Sequence, residues 1–117
     1  MDNKLQKAYH KVVMDRGGKV WASCDLCNSK KNLQVHHIIQ RGWVAPDFIN
    51  LISIPPLLAL LCKDCHDDAH NTEVRNLLLN KNAIRYGKKQ VIESFQMIDD
   101  EMKHGLMFDI ETILSES

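Results

Sequence analysis

Two C-x-x-C pairs, Cys24-Asp25-Leu26-Cys27 and Cys62-Lys63-Asp64-Cys65, constrain this chain more than any other feature. Each pair is a tight turn of sulfur ligands, and two such turns close a tetrahedral site that suits zinc. The pairs lie far apart in sequence, so one shared ion would pin the N-terminal third onto a much later segment. That crosslink makes sense in a chain of 117 residues, whose core is small enough to profit from reinforcement. Four merely buried cysteines would have no need of the doubled spacing. Cys62 to His66 also matches the C-x-x-C-H pattern of haem attachment. Covalent haem belongs to exported proteins and would leave Cys24 and Cys27 without a role, so the reading adopted is structural zinc.

The N-terminus, MDNKLQKAYHKVV, is amphipathic and shows no apolar core followed by a small-residue cleavage site. The longest apolar stretch, LISIPPLLALL, is too short to span a bilayer and carries two prolines. A cytoplasmic protein with reduced thiols and no membrane partner is therefore expected. The formal net charge is zero, but it is polarised. Residues 1–45 carry eight Lys/Arg against three acids, net +5, and residues 46–117 carry seven against twelve, net −5. A basic face could meet phosphates while an acidic tail points away, although composition alone favours charge scattered over a solvated surface.

The pattern predicts one α+β domain over 1–117: an N-terminal helix over 1–18, a zinc-stapled core over 19–71 and a helical extension over 72–117. Leu5, Ala8, Val12 and Val13 recur at helical spacing, with Asp2 or Asn3 as cap and Gly17-Gly18 as stop. KVWAS reads as a short strand, NLQVHHII as a second, and QRGWVAPDFIN as a loop. LISIPPLLALL reads as two short strands separated by Pro55-Pro56, or as an apolar patch for a protein partner. From Lys63 the pattern turns helical. A further helix runs from a Thr72 cap to a Gly87 stop. Another follows, with Val91, Ile92, Phe95, Ile98 and Met102 on one face.

Four of the six histidines cluster around the cysteine pairs. His66 and His70 are four apart, which on a helix is one side. His36 and His37 are adjacent on a predicted strand, so their side chains leave in opposite directions. In-line attack on a phosphodiester needs a base on the water and a cation on the leaving oxygen. Neutral imidazole serves either as base or as metal ligand near pH 7.

CDLC, VHHII, FINL and CKDCHDDAH, in that order, resemble an HNH endonuclease of the type that carries a four-cysteine zinc site, as found in phages and mobile elements. The resemblance runs from Cys24 to His70 and implies a small ββα-metal core flanked by helices. It implies His37 as general base and Asn50 as the residue that ties the loop and helps orient that base. It implies His36 and His66 as ligands of a catalytic divalent ion (Mg²⁺, Mn²⁺, Ni²⁺ or Zn²⁺), with His70 as a third ligand or a phosphate contact, beside structural Zn²⁺ on Cys24, Cys27, Cys62 and Cys65. DNA, double-stranded, would be the substrate, and Arg41, Lys63, Lys30 and Lys31 the nearest cations for its backbone. The stretch between Asn50 and Cys62 is longer than the family pattern, which bears most on Asn50. The competing reading is a zinc-stabilised module that binds DNA or protein without cutting. An RNA-directed or toxin-like nuclease would share the chemistry.

Overall fold

The computed structural model describes residues 3–39, 49–69, 71–101 and 110–115. Helix α1 (Asn3–Asp15) opens the chain. It stops where Gly17 (φ +100°) and Gly18 (φ +89°) turn the backbone through the left-handed region. A Cβ on Gly17 would also sit 3.0 Å from Trp21 Cβ. The strand expected at KVWAS does not form. Residues 19–21 are a turn in which Trp21 and Ala22 N–H both donate to Gly18 O (3.2 and 2.8 Å). Val20 and Trp21 are exposed while only Ala22 is buried, so the segment has no face to offer a sheet.

The sheet is an antiparallel pair, β1 (Leu33–His37) and β2 (Leu58–Cys62). Leu33 lies opposite Cys62, His36 opposite Ala59 and His37 opposite Leu58. Every residue of β2 is buried, because both faces of the pair are covered. Leu58 and Leu60 pack with Leu33, Val35 and the α1 residues Ala8, Tyr9 and Val12. Ala59 and Leu61 join the larger cluster with Leu78, Leu79, Val91, Phe95 and Ile98. Among the described residues the far edge of β2 is closed without a third strand. Asp25 N–H donates to Leu60 O (2.8 Å) and Leu60 N–H to Asp25 Oδ2 (3.1 Å). Asn82, buried on a later helix, donates through Nδ2 to Leu58 O (2.8 Å) and Pro56 O (2.9 Å). These bonds satisfy carbonyls and an amide that an open edge would leave exposed.

LISIPPLLALL forms one strand, not two. Before β2 come a short helix, α2 (Ile49–Ile52), and a 3₁₀ turn over Pro55–Leu57. Two successive prolines remove two ladder donors, and their fixed φ suits a tight helical turn instead. Ile52 and Leu57 to Leu61 are buried, so this segment is interior and not a surface patch. Helix α3 (Lys63–Asp68) starts where β2 ends, and α4 (Thr72–Tyr86) follows. The cap of α4 is Asn71, which accepts from Glu73 N–H at 2.7 Å, not Thr72. Gly87 (φ +98°) closes α4 as expected. Helix α5 (Lys88–Glu101) buries Val91, Phe95 and Ile98, and α6 (Ile110–Ser115) buries Ile110, Ile113 and Leu114. Met102 and most of the predicted 40–50 loop lie outside the described residues.

Candidate metal centre and histidine site

The fold brings the two C-x-x-C turns together. The first is shaped by Cys24 N–H donating to Ser29 O (2.8 Å) and Asn28 N–H to Cys24 O (3.0 Å), with Asn28 left-handed at φ +65°. The second straddles the junction of β2 and α3. All four cysteines are free, and their Sγ atoms lie within 4.8 Å of one another. Cys27 Sγ and Cys62 Sγ are 3.6 Å apart. A tetrahedral ion with sulfur at ~2.3 Å holds its ligands ~3.8 Å apart, so the cluster fits zinc with little adjustment. It is the one group of three or more metal-ligating side chains among the described residues.

The thiols are unequal. Burial alone would push Cys24 up, but backbone N–H groups around it, those of Cys62, Cys27 and Leu26, bring it down to about 7. The Ser29 amide favours a thiolate at Cys27, yet the Cys62 and Cys24 sulfurs outweigh it and push that thiol up. Burial, then the neighbouring sulfurs, push Cys65 well above the ordinary thiol value. Four sulfurs this close ionise together only around a cation, and a divalent ion supplies that charge.

Asp25, inside the first turn, anchors this centre to the fold. Its carboxylate takes Arg16 Nε and Nη2, both at 2.7 Å, as well as Leu60 N–H. The side chains of the pair are only 3% and 4% exposed. Burial works against the Arg16 charge, but its bonds and attraction to Asp25 outweigh that and raise the guanidinium above its usual value. Sequence reasoning passed over both residues, counting them only toward the net charge of residues 1–45. The available signal was an acid placed within a ligand turn, beside a basic residue at a helix end.

Strand β1 sends its two histidines to opposite faces. His36 is buried, and its ring meets that of His66 on α3 edge-on, with centroids 5.0 Å apart at 80°. Two imidazoles on one ion, with nitrogen at ~2.1 Å and ligand angles of about 90–110°, would place their ring centres ~4.6–5.3 Å apart. The pair therefore has the spacing of joint ligands, a spacing that an ordinary edge-to-face contact shares. The third expected ligand, His70, lies outside the described residues; α3 ends at Asp68, two residues before it.

His37, also buried, faces α1 and α2. Its ring lies edge-on to Tyr9 (6.1 Å, 74°), and its Nε2 is 2.9 Å from Ser53 Oγ. Ser53 Oγ donates its single proton to Ile49 O at 2.7 Å, so it accepts from His37. A ring that donates to Ser53 carries a proton on Nε2. Ser53 is a site residue that sequence reasoning missed, because nothing in SIPP marks it. Asn50 sits exposed in the first turn of α2. It lines, with Leu5, Ala8, Leu51, Ser53 and Ile54, a cavity of about 370 Å³ between α1 and α2. The hydrogen bond seen at His37 Nε2 is to Ser53.

The expected DNA-contact cations are dispersed. Lys31 and Lys63 line the cleft beside Cys27, Cys62 and Cys65, together with Asp64. Lys30 stands over the exposed Trp21 ring, 5.2 Å from its centre. Arg41 lies outside the described residues. No helix of the described residues is long and apolar enough to cross a membrane. Comparison with protein-family models, with curated proteins and with solved structures gave no match.

Proposed function

We propose that the chain is a metal-dependent endonuclease of the HNH type, hydrolysing DNA to leave 5′-phosphate and 3′-hydroxyl ends. The observation that carries this reading is the division of labour across β1. One histidine meets His66 at ligand spacing, while its neighbour is held by Ser53 through Nε2. His37 would take the proton of the attacking water at its other ring nitrogen. His36 and His66, with His70, would hold the divalent ion, which when bound stabilises charge on the phosphate and the leaving oxygen. The four cysteines would hold a separate zinc that staples the site. The second reading, a zinc-stabilised binding module without catalysis, draws on the burial of both strand histidines.

Nicking of supercoiled plasmid with magnesium, manganese or nickel separates the two. Wild type should cut, and His37→Ala should lose on the order of 10²–10⁴-fold in single-turnover rate, with its zinc content unchanged. His36→Ala and His66→Ala should instead need more metal and regain part of their activity at high concentration. If no metal supports cutting above a His37→Ala control, the nuclease reading falls and the binding module stands.

A further inference from the structure

We propose that the cavity between the first cysteine turn and α4 receives a backbone phosphate of duplex DNA. It has a volume of about 500 Å³, and Arg16, Ser23, Asp25, Asn28, Lys81 and Arg85 are among its lining residues. The choice of DNA rests on the nuclease reading; the preference for an anion does not.

The argument is a charge balance. Asp25 is the only carboxylate on the wall, which Cys24 of the sulfur cluster also lines, and it is saturated: both oxygens take Arg16, and Oδ2 also takes Leu60 N–H. Arg16 and Asp25 cancel. Arg85 Nη1 stands 3.9 Å from Asp25 Oδ1, close enough for attraction but beyond hydrogen-bonding reach. Lys81 makes no ion pair among the described residues. Two cations of α4, four residues apart on one side of the helix, thus face the cavity with their hydrogen-bond donors unspent. Asn28 and Ser23 add neutral donors from the opposite wall. Such a wall suits a diffuse, multiply accepting anion, and a phosphodiester is that anion in a nucleic acid. These cations belong to the part of the chain that carries net negative charge, so the sequence-wide polarity concealed them.

The test is fluorescence anisotropy of a short labelled DNA duplex with zinc-loaded protein, without added divalent metal, between about 50 and 200 mM salt. Lys81→Glu/Arg85→Glu should bind more than tenfold more weakly at physiological salt than wild type. The slope of log affinity against log salt should become shallower by about 0.9, the share of the one phosphate the two cations hold. Lys81→Gln/Arg85→Gln, which adds no charge beside Asp25, should show the same change of slope with a smaller loss. Lys88→Glu, on α5 outside the cavity, should stay within about threefold of wild type, because it removes no phosphate contact. Retained zinc and an unchanged circular dichroism spectrum identify folded variants. A Gln double variant with the wild-type slope, or a wild type with no affinity for the duplex, overturns the proposal. Binding that depends on Lys81 and Arg85 in a protein that never cuts plasmid supports this site while refuting the nuclease reading.

Discussion

Replacing Asp25 by Asn keeps the side chain's shape and an acceptor for Leu60 N–H, and removes the charge together with the acceptor that takes Arg16 Nε. Arg16, whose side chain is 3% exposed, then faces a neutral amide. Removing one partner of a buried ion pair costs ~3–5 kcal/mol, because the other charge is left without compensation. A domain of this size has roughly 5–15 kcal/mol in total, so Asp25→Asn should remove about a fifth of the stability or more. Asp25→Ala should cost a further ~1–3 kcal/mol, since Leu60 N–H then loses its partner. The decisive comparison is Arg16→Met/Asp25→Asn. Met follows the aliphatic stem of Arg and leaves no charge to desolvate, so the double variant should recover to within ~2 kcal/mol of wild type. Urea denaturation followed by circular dichroism measures all four proteins, at one fixed excess of zinc so that metal linkage is constant. If Asp25→Asn lies within 1 kcal/mol of wild type, or the double variant is no more stable than the single, the pair is not a buried one in solution and the account of this anchor is wrong.

Two further outcomes follow from the same geometry. Tyr86 OH donates to Asp15 Oδ2 at 2.6 Å, and burial, then this bond, push the phenol up to about 12. The fold favours the neutral phenol, so this stabilisation is complete below the unfolded value near 10 and is lost as pH rises through 12. Partial solvent screening limits it to ~1 kcal/mol; wild-type stability should fall over that window, and Tyr86→Phe should show a flatter profile in the same urea titrations. Elemental analysis after exhaustive dialysis should find about one zinc per chain, and Cys62→Ser or a strong chelator should unfold the protein or make it aggregate. Folded, metal-free protein with an unchanged melting profile would contradict the staple.

What the sequence disclosed was what repeats or has fixed spacing. The doubled C-x-x-C turns, the alternating β1 and the amphipathic α5 each obey a period or a motif, and each is found where that period places it. The contacts that fasten these parts together obey none. Asp25 serves Arg16 and the edge of β2 across the fold, and Asn82 caps Pro56 and Leu58 from another helix. Such polar groups are placed by tertiary structure and carry no local signature. LISIPPLLALL misled because apolarity without a period suits a helix as well as a strand. Only the prolines marked the boundary, and they were read as an interruption between strands instead of as the 3₁₀ turn that precedes one.

The histidine site depends on register more than on any single contact. Side chains alternate along β1, so a slip of one residue against β2 would send His37 toward α3 and His36 toward α1. In the observed register His36 lies across from Ala59, the smallest residue of β2, and the His66 ring approaches on that face. His37 lies across from Leu58, on the face where Tyr9 and Ser53 meet it. Two features at either end of β2 oppose a slip. At one end Leu58 O and Pro56 O are held by Asn82. At the other, Cys62 is both the last residue of the strand and a member of the sulfur cluster, paired across the ladder with Leu33. A zinc ion on that cluster would fix Cys62 relative to Cys24 and Cys27, and His66 follows four residues later on the helix that Cys62 begins. The metal that staples the fold would then also fix which histidine faces which side, although it touches neither.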